Sequence, residues 1–203
     1  MLYDCVVVGA GIEGLATAKY LAEIGKKVIL LEQFPWPHTR GSSNGHTRYT
    51  RYAYKKPEYV QLLKDAFSSW EKLERESGLE LYIKTGLLVC GEKRCSTLTD
   101  FANSLKKAPV TCKLLNNKEL REKSRNLFSI PDSYEGLWDP SGGLLLAKNC
   151  MCAYMNEFRK LGGSFVDRFV VDKISTSNQN GIYSVFSTDG RLVRSWSDKL
   201  CLS

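Results

Sequence analysis

Several features are scarce or missing in this sequence of 203 residues, and each absence excludes a class of protein. No apolar run approaches the roughly 20 residues that a membrane helix needs, and no basic stretch precedes the apolar start as in a signal peptide. Only two histidines are present, and the seven cysteines include no C-x-x-C pair, so no metal site is expected. The odd number of cysteines favours reduced thiols inside a cell.

The composition and the charge are those of an ordinary globular protein. Hydrophobic residues make up 43% and charged residues 25%, which excludes disordered and collagen-like chains. The net charge of +7 is spread along the chain in short pairs, without the basic stripe that a nucleic-acid site requires. We therefore expect neither a nucleic acid nor a membrane as a partner.

A strand–helix–strand unit is predicted at the N-terminus. Residues 2–8 form a β-branched apolar run, which is typical of a buried parallel strand. Residues 15–24 are compatible with a helix that ends at Gly25, and residues 27–31 form a second apolar strand that ends at Glu32. This is a βαβ unit of the expected length.

The turn between the first strand and the helix carries the pattern G-x-G-x-x-G. Gly9 permits the tight turn, Gly11 lets a pyrophosphate approach the backbone, and Gly14 lets the helix pack closely on the sheet. Glu32 is suited to accept hydrogen bonds from a ribose diol and would repel the extra phosphate of NADP. The pattern binds an ADP moiety, so it leaves FAD and NAD both open. The candidate cofactor-binding residues of the turn are Gly9, Ala10, Gly11, Ile12, Glu13 and Gly14.

The rest of the chain mixes helices and short strands. Residues 33–56 are predicted as one long loop, followed by a long amphipathic helix from Pro57 to Gly78. A strand over 81–89 is interrupted at Gly86, and short helices are expected over 96–107, 117–123 and 151–161. Residues 165–171 are predicted as a third parallel strand, and alternating strands follow over 181–187 and 191–196.

The long loop is where the sequence resembles a known family. Its segments are Leu-Glu-Gln-Phe (31–34), Pro-His-Thr-Arg-Gly-Ser-Ser-Asn-Gly-His-Thr-Arg (37–48) and Arg-Tyr-Ala-Tyr (51–54). These resemble the monomeric sarcosine oxidase family, and most closely its peroxisomal sarcosine/pipecolate oxidases. The resemblance implies an α/β fold, with a Rossmann-type FAD-binding domain and part of a mixed-sheet substrate domain. It also implies FAD-dependent oxidation of a secondary amine, an N-methyl or cyclic imino acid, by O2 to an imine and hydrogen peroxide.

The resemblance also implies roles for individual residues. The turn glycines would hold the pyrophosphate, and Glu32 the adenosine ribose, with Gln33 beside it. Arg48 would lie next to the flavin ring, where a fixed cation favours the negative charge of reduction, and is the expected catalytic residue. The remaining expected FAD contacts are the loop residues and a candidate adenine contact, namely His38, Gly41, Ser42, Ser43, Arg51 and Val170.

The domain division and the extent of the chain follow from the same resemblance. Residues 1–80 and 142–203 are assigned to the FAD-binding domain, and 81–141 to part of a substrate domain. Family members are about twice this length, so we expect a truncated chain. Two alternatives stay open, a non-catalytic FAD-binding fragment or isoform and, less favoured, a nicotinamide dehydrogenase. The expected location is the cytoplasm or the peroxisome, although the last three residues, Cys-Leu-Ser, are not a peroxisomal signal of the Ser-Lys-Leu type.

Overall fold

The structure is a computed structural model that describes residues 1–106, 111–177, 181–196 and 201–202. It divides into two compact units. The first unit comprises Met1–His46, Glu76–Leu79 and Ala147–Ser203, and the second comprises Thr47–Arg75 and Glu80–Leu146. These boundaries differ from the predicted ones, and the assignment of FAD and substrate to separate domains remains a prediction.

The described residues form five helices and fourteen strands. The helices are α1 (Ile12–Glu23), α2 (Pro57–Ser77), α3 (Ser96–Leu105), α4 (Asn117–Lys123) and α5 (Ala147–Lys160). The strands are β1 (Leu2–Tyr3), β2 (Cys5–Val8), β3 (Val28–Leu31), β4 (Thr47–Thr50), β5 (Tyr82–Lys84), β6 (Leu87–Glu92), β7 (Lys113–Leu115), β8 (Tyr134–Asp139), β9 (Gly143–Leu146), β10 (Ser164–Val166), β11 (Val171–Ser177), β12 (Ile182–Ser187), β13 (Leu192–Ser195) and β14 (Cys201–Leu202).

A parallel sheet lies at the centre of the first unit. Its order is β10-β3-β2-β14, and β2 pairs with β3 so that Val6 lies beside Ile29. All four residues of β3 are buried because both faces of the sheet are covered. The predicted βαβ unit is therefore confirmed, and α1 ends as expected before Gly25, whose φ of +80° suits glycine.

The two faces of this sheet are covered by different elements. On one face α1 and α5 pack through residues such as Leu15 and Phe158 against Val7 and Leu30. The other face packs through Val6, Ile29 and Leu31 against a second sheet of order β1-β13-β12-β11. Because successive side chains of a strand point to opposite faces, one run of apolar residues serves both cores.

The second unit contains two small antiparallel sheets. Their orders are β4-β9-β5 and β6-β8-β7, and α2, α3 and α4 belong to the same unit, except for the last two residues of α2. Its core includes Tyr52, Val60, Leu98 and Leu137. The interruption near Gly86, which has a φ of +73°, is confirmed between β5 and β6.

Three predictions about secondary structure are wrong in part. The predicted strand over residues 2–8 is divided, because Leu2–Tyr3 pairs with β13 in one sheet and Cys5–Val8 pairs with β3 in the other. Residues 47–50 were predicted within a loop, but they form β4 because they pair antiparallel with Gly143–Leu146, a partner far along the chain. Residues 165–171 do not form one strand. Only Ser164–Val166 pairs with β3, and the chain then leaves that sheet before β11 begins in the other sheet.

Among the described residues, no helix combines the length and the apolarity that crossing a membrane requires.

Candidate cofactor site

The glycine turn joins β2 to α1 in the first unit. Gly9 has a φ of +99°, a conformation that side chains other than glycine rarely adopt, so it makes the turn possible. Gly11 is the N-cap of α1 and supplies no side-chain cap. Ser43 supplies it instead, because its Oγ accepts a hydrogen bond from the N–H of Ile12 at 3.0 Å. The loop and the helix N-terminus are thereby joined.

The space in front of this helix is narrow. A Cβ added to Gly11 would lie 3.2 Å from the Oγ of Ser43, which is tighter than most contacts of that kind. The amide N–H groups of the first helical turn have no acceptor inside the helix, and Glu13 and Gly14 belong to that turn. Together with the positive end of the helix dipole, such groups favour an anion.

Glu32 lies at the carboxyl end of β3 and is only 5% exposed. Its Oε2 accepts a hydrogen bond from the N–H of Ala10 at 2.8 Å, and its Oε1 accepts one from the N–H of Phe34 at 2.9 Å. The Nε2 of His38 lies 3.3 Å from the same Oε1. A carboxylate offers about four lone-pair sites, so the carboxylate keeps capacity to accept a further hydrogen bond.

The loop that follows β3 carries the other expected contacts. His38 is largely buried, whereas Gln33, Gly41 and Ser42 are exposed. Gly41 has a φ of +90° and accepts a hydrogen bond from the N–H of Asn44 at 3.4 Å. The loop therefore runs from Glu32 to the N-terminus of α1 within one unit.

The backbone segment that precedes Val170 is hydrogen-bonded to the backbone of Glu32. The N–H of Glu32 donates to the carbonyl of Val166 at 2.9 Å, and the carbonyl of Glu32 accepts from the N–H of Phe169 at 2.8 Å. Val170 itself is 42% exposed. The segment from Val166 to Val170 thus borders the carboxyl end of β3.

The two expected arginines belong to the second unit. Arg48 is exposed on β4, opposite Leu145 of β9, and its Nη1 donates to the carbonyl of Thr47 at 2.7 Å. The guanidinium of Arg51 lies over the rings of Tyr49 and Tyr54, with 4.8 Å and 4.7 Å to the ring centroids. The structure therefore brings the expected residues together in two groups, one in each unit.

One buried residue of the second unit was not predicted from the sequence. Asp139, at the end of β8, is fully buried, and its Oδ2 accepts hydrogen bonds from the N–H groups of Tyr52 and Ala53 at 2.9 Å and 3.1 Å. Its Oδ1 accepts from the N–H and the hydroxyl of Ser141. An Asp that begins a Pro-Ser-Gly-Gly turn was the available signal, because Asp often bonds to the backbone two residues on.

The buried carboxylate also changes its surroundings electrostatically. Burial, with a smaller contribution from Asp139, raises the pKa of the Cys112 thiol to about 12. Burial and the same carboxylate raise the pKa of Tyr52 and of Tyr82 above the ordinary phenol value. These groups therefore stay neutral near pH 7.

Among the residues that the structure describes, no group of three or more His, Cys, Asp or Glu side chains is arranged to hold a metal ion.

A profile of the FAD dependent oxidoreductase family matches residues 4–196, which include the glycine turn, both arginines and Asp139. The chain belongs to this family of FAD-dependent oxidoreductases.

Two relatives of the chain are named sarcosine oxidases. The chain is 38% identical to peroxisomal sarcosine oxidase of Homo sapiens, over 80% of the chain and 41% of that protein. It is 32% identical to monomeric sarcosine oxidase of Bacillus sp. (strain B-0618), over 98% of the chain and 53% of that protein. The chain spans about half the length of the relatives it matches.

The fold of this oxidoreductase chain is also found in solved structures. NikD, described as an unusual amino acid oxidase essential for nikkomycin biosynthesis, matches with a TM-score of 0.84 and 25% identity, over 99% of this chain and 51% of that one. L-proline dehydrogenase from P. horikoshii matches in fold with a TM-score of 0.82 and 22% identity, over 96% and 51% of the two chains. The predicted α/β fold is therefore confirmed.

The residues of the first unit fit the ADP portion of FAD. A Cβ at Gly11 would narrow the cradle in front of α1, and the helix N-terminus there suits a pyrophosphate. The buried Glu32 retains acceptor capacity for a ribose hydroxyl, which the Rossmann arrangement places at this strand end.

Proposed function

We propose that the protein acts in the FAD-dependent oxidation of a secondary amine, an N-methyl amino acid or a cyclic imino acid. Oxidation of the C–N bond to an imine would remove two electrons and two protons from the amine. O2 would accept these two electrons and two protons and become hydrogen peroxide. The support for this substrate class is the naming of relatives as sarcosine oxidases at 32–38% identity. Because the chain spans about half of those relatives, the activity is proposed for the whole protein.

The observation that carries the proposal is the buried Glu32 beside the glycine turn. Glu32 accepts a hydrogen bond from the N–H of Ala10 in the turn itself, so the residues proposed for the ribose and for the pyrophosphate are joined directly. Bound FAD would supply the two-electron acceptor that no protein side chain provides.

The residues of the chain would bind and orient the cofactor. In this proposal the turn from Gly9 to Gly14 holds the pyrophosphate, Glu32 accepts a ribose hydroxyl, and Val170 contacts the adenine. Arg48 and Arg51 supply positive charge near the reacting ring, where a fixed cation stabilises the negative charge of reduction. The other proposed contacts are Gln33, Gly41, Ser42 and Ser43.

A second candidate function is binding of FAD without turnover by this chain of 203 residues. The observation that favours it is the coverage of 41–53% of the relatives, because catalysis requires every reacting group to be held in place at once. For the oxidase function the proposed partners are the amine and O2, and for the binding function the proposed partner is FAD alone. A cytoplasmic or peroxisomal location remains a proposal for both.

One experiment tests the proposal and separates the two candidates. The purified chain is mixed with FAD, freed of excess cofactor and examined for flavin absorbance, and O2 consumption is then followed with sarcosine and with pipecolate. Flavin absorbance with O2 consumption supports the oxidase function for this chain itself, and flavin absorbance without turnover supports the binding function for this chain. A chain that binds NAD and shows no flavin absorbance at any FAD concentration contradicts both.

A further inference from the structure

The sequence predicts that His38 contacts the cofactor, but the surroundings of its ring indicate a different role. Its side chain is 17% exposed and lies midway along the loop from Glu32 to Ser43. The Nε2 lies 3.3 Å from the Oε1 of Glu32, and the Nδ1 accepts a hydrogen bond from the N–H of Arg40 at 3.1 Å. Both ring nitrogens therefore face groups of the protein itself.

These two contacts select one form of the imidazole. A nitrogen that accepts a hydrogen bond from an N–H carries no proton, so the Nδ1 of His38 is unprotonated. The ring proton of the neutral imidazole then resides on Nε2, the nitrogen that lies 3.3 Å from the Oε1 of Glu32. The ring of Phe34 packs edge-on against the imidazole, with 5.2 Å between the centroids, and limits its rotation.

The consequence concerns how Glu32 is oriented. Its Oε1 accepts a hydrogen bond from the N–H of Phe34 and has the Nε2 of His38 at 3.3 Å, whereas its Oε2 accepts one from the N–H of Ala10. Each carboxylate oxygen has about two lone-pair sites, so the free capacity lies on Oε2. The imidazole beside Oε1 therefore restrains the plane of the carboxylate, which sets the direction in which Oε2 presents its remaining lone pair.

We propose that His38 is a positioning residue that holds Glu32 through Nε2 in one orientation for a ribose hydroxyl, rather than a direct contact of the cofactor. The proposal rests on the proposed function, because it names how the ribose subsite of that same site is built. It assigns the specificity for the ribose diol to a pair of side chains, of which only Glu32 touches the ligand.

The tautomer is tested first, because it needs no cofactor. The chain has only two histidines, so nitrogen-15 NMR of the imidazole rings, with His46→Gln to assign the signals, reports the ring of His38 directly. The expected result is an unprotonated Nδ1 and a protonated Nε2. A proton on Nδ1 overturns the proposal.

Binding of FAD is then measured for two variants that separate the ring nitrogens. His38→Gln places an amide donor where Nε2 stands, whereas His38→Asn keeps an acceptor near Nδ1 and removes the donor to Glu32. We expect His38→Asn to raise the Kd roughly tenfold, as for the loss of one polar contact with a charged group, and His38→Gln to stay within about threefold. His46→Gln, on the exposed end of the loop, is the matched control and keeps the wild-type Kd.

A ribose-specific readout distinguishes positioning from a general loss of structure. Competition with ADP and with 2′,3′-dideoxy-ADP is measured for the wild type and for His38→Asn. The variant is expected to lose affinity for ADP and to bind the dideoxy compound as the wild type does. Equal losses for both ligands, a wild-type Kd for His38→Asn, or a greater loss for His38→Gln overturns the proposal. A wild-type chain that binds no FAD contradicts the proposed function instead. In that case the NMR result for the tautomer alone decides whether the Nε2 of His38 carries the proton that faces Glu32.

Discussion

The substitution Glu32→Gln probes the centre of the candidate site most directly. It keeps the size of the side chain and replaces one carboxylate oxygen by an NH2 group. In the structure Oε2 accepts a hydrogen bond from the N–H of Ala10 at 2.8 Å, and Oε1 accepts one from the N–H of Phe34 at 2.9 Å. Whichever way the amide is turned, one of these N–H groups therefore faces another donor.

The cost of this mismatch follows from burial. Glu32 is 5% exposed, and a buried donor that loses its acceptor costs about 1–3 kcal/mol. We expect the free energy of unfolding of the cofactor-free chain to fall by that amount. Urea denaturation followed by circular dichroism measures it, with equal m-values as the check that the unfolding transition itself is unchanged.

The matched control is Glu58→Gln, which makes the same chemical change at an exposed position in the first turn of α2. Its expected effect is within about 0.5 kcal/mol. If Glu32→Gln is as stable as Glu58→Gln, then the contacts of Glu32 do not hold the turn, and the reasoning is refuted.

Three further predictions follow from the described contacts. Gly11→Ala is expected to weaken FAD binding about fivefold, because its Cβ would lie 3.2 Å from the Oγ of Ser43 and displace a helix cap that contributes about 1 kcal/mol. Iodoacetamide at pH 8 is expected to alkylate Cys112 at least roughly tenfold more slowly than the exposed Cys90, as measured by peptide mass spectrometry. A pKa raised to about 12 leaves almost no thiolate at Cys112 at that pH. Asp139→Asn is expected to lower the free energy of unfolding by about 1–3 kcal/mol in urea, because an amide has too few acceptors for the donors around it.

Each of these predictions has a matched control. Gly25→Ala strains a turn with a φ of +80° at the far end of α1 and is expected to change stability but not the Kd for FAD. Asp172→Asn makes the same change as Asp139→Asn at an exposed site and is expected to have little effect. Equal alkylation rates for Cys112 and Cys90, an unchanged Kd for Gly11→Ala, or equal stabilities for the two Asn variants would contradict the respective prediction.

The first unit was predictable where contacts are local in sequence. The apolar strands, the glycine turn and the stop at Gly25 depend on residues within one βαβ unit, and each was found at or near its predicted place. The assignment of 47–50 to a loop failed because β4 exists only through pairing with β9, about a hundred residues later. A strand with two exposed polar residues, Thr47 and Arg48, carries no apolar alternation that would reveal it.

The sequence by itself determined the family, the position of the glycine turn and the carboxylate that follows the second parallel strand. These depend on residue types at fixed spacing, since a glycine is favoured where φ is positive and the Rossmann pattern has an acid at the end of the second strand. Only the tertiary structure decided which groups surround them. Ser43 caps α1, His38 faces Glu32 and Asp139 holds the backbone at Tyr52, because packing brings together side chains that no local pattern relates.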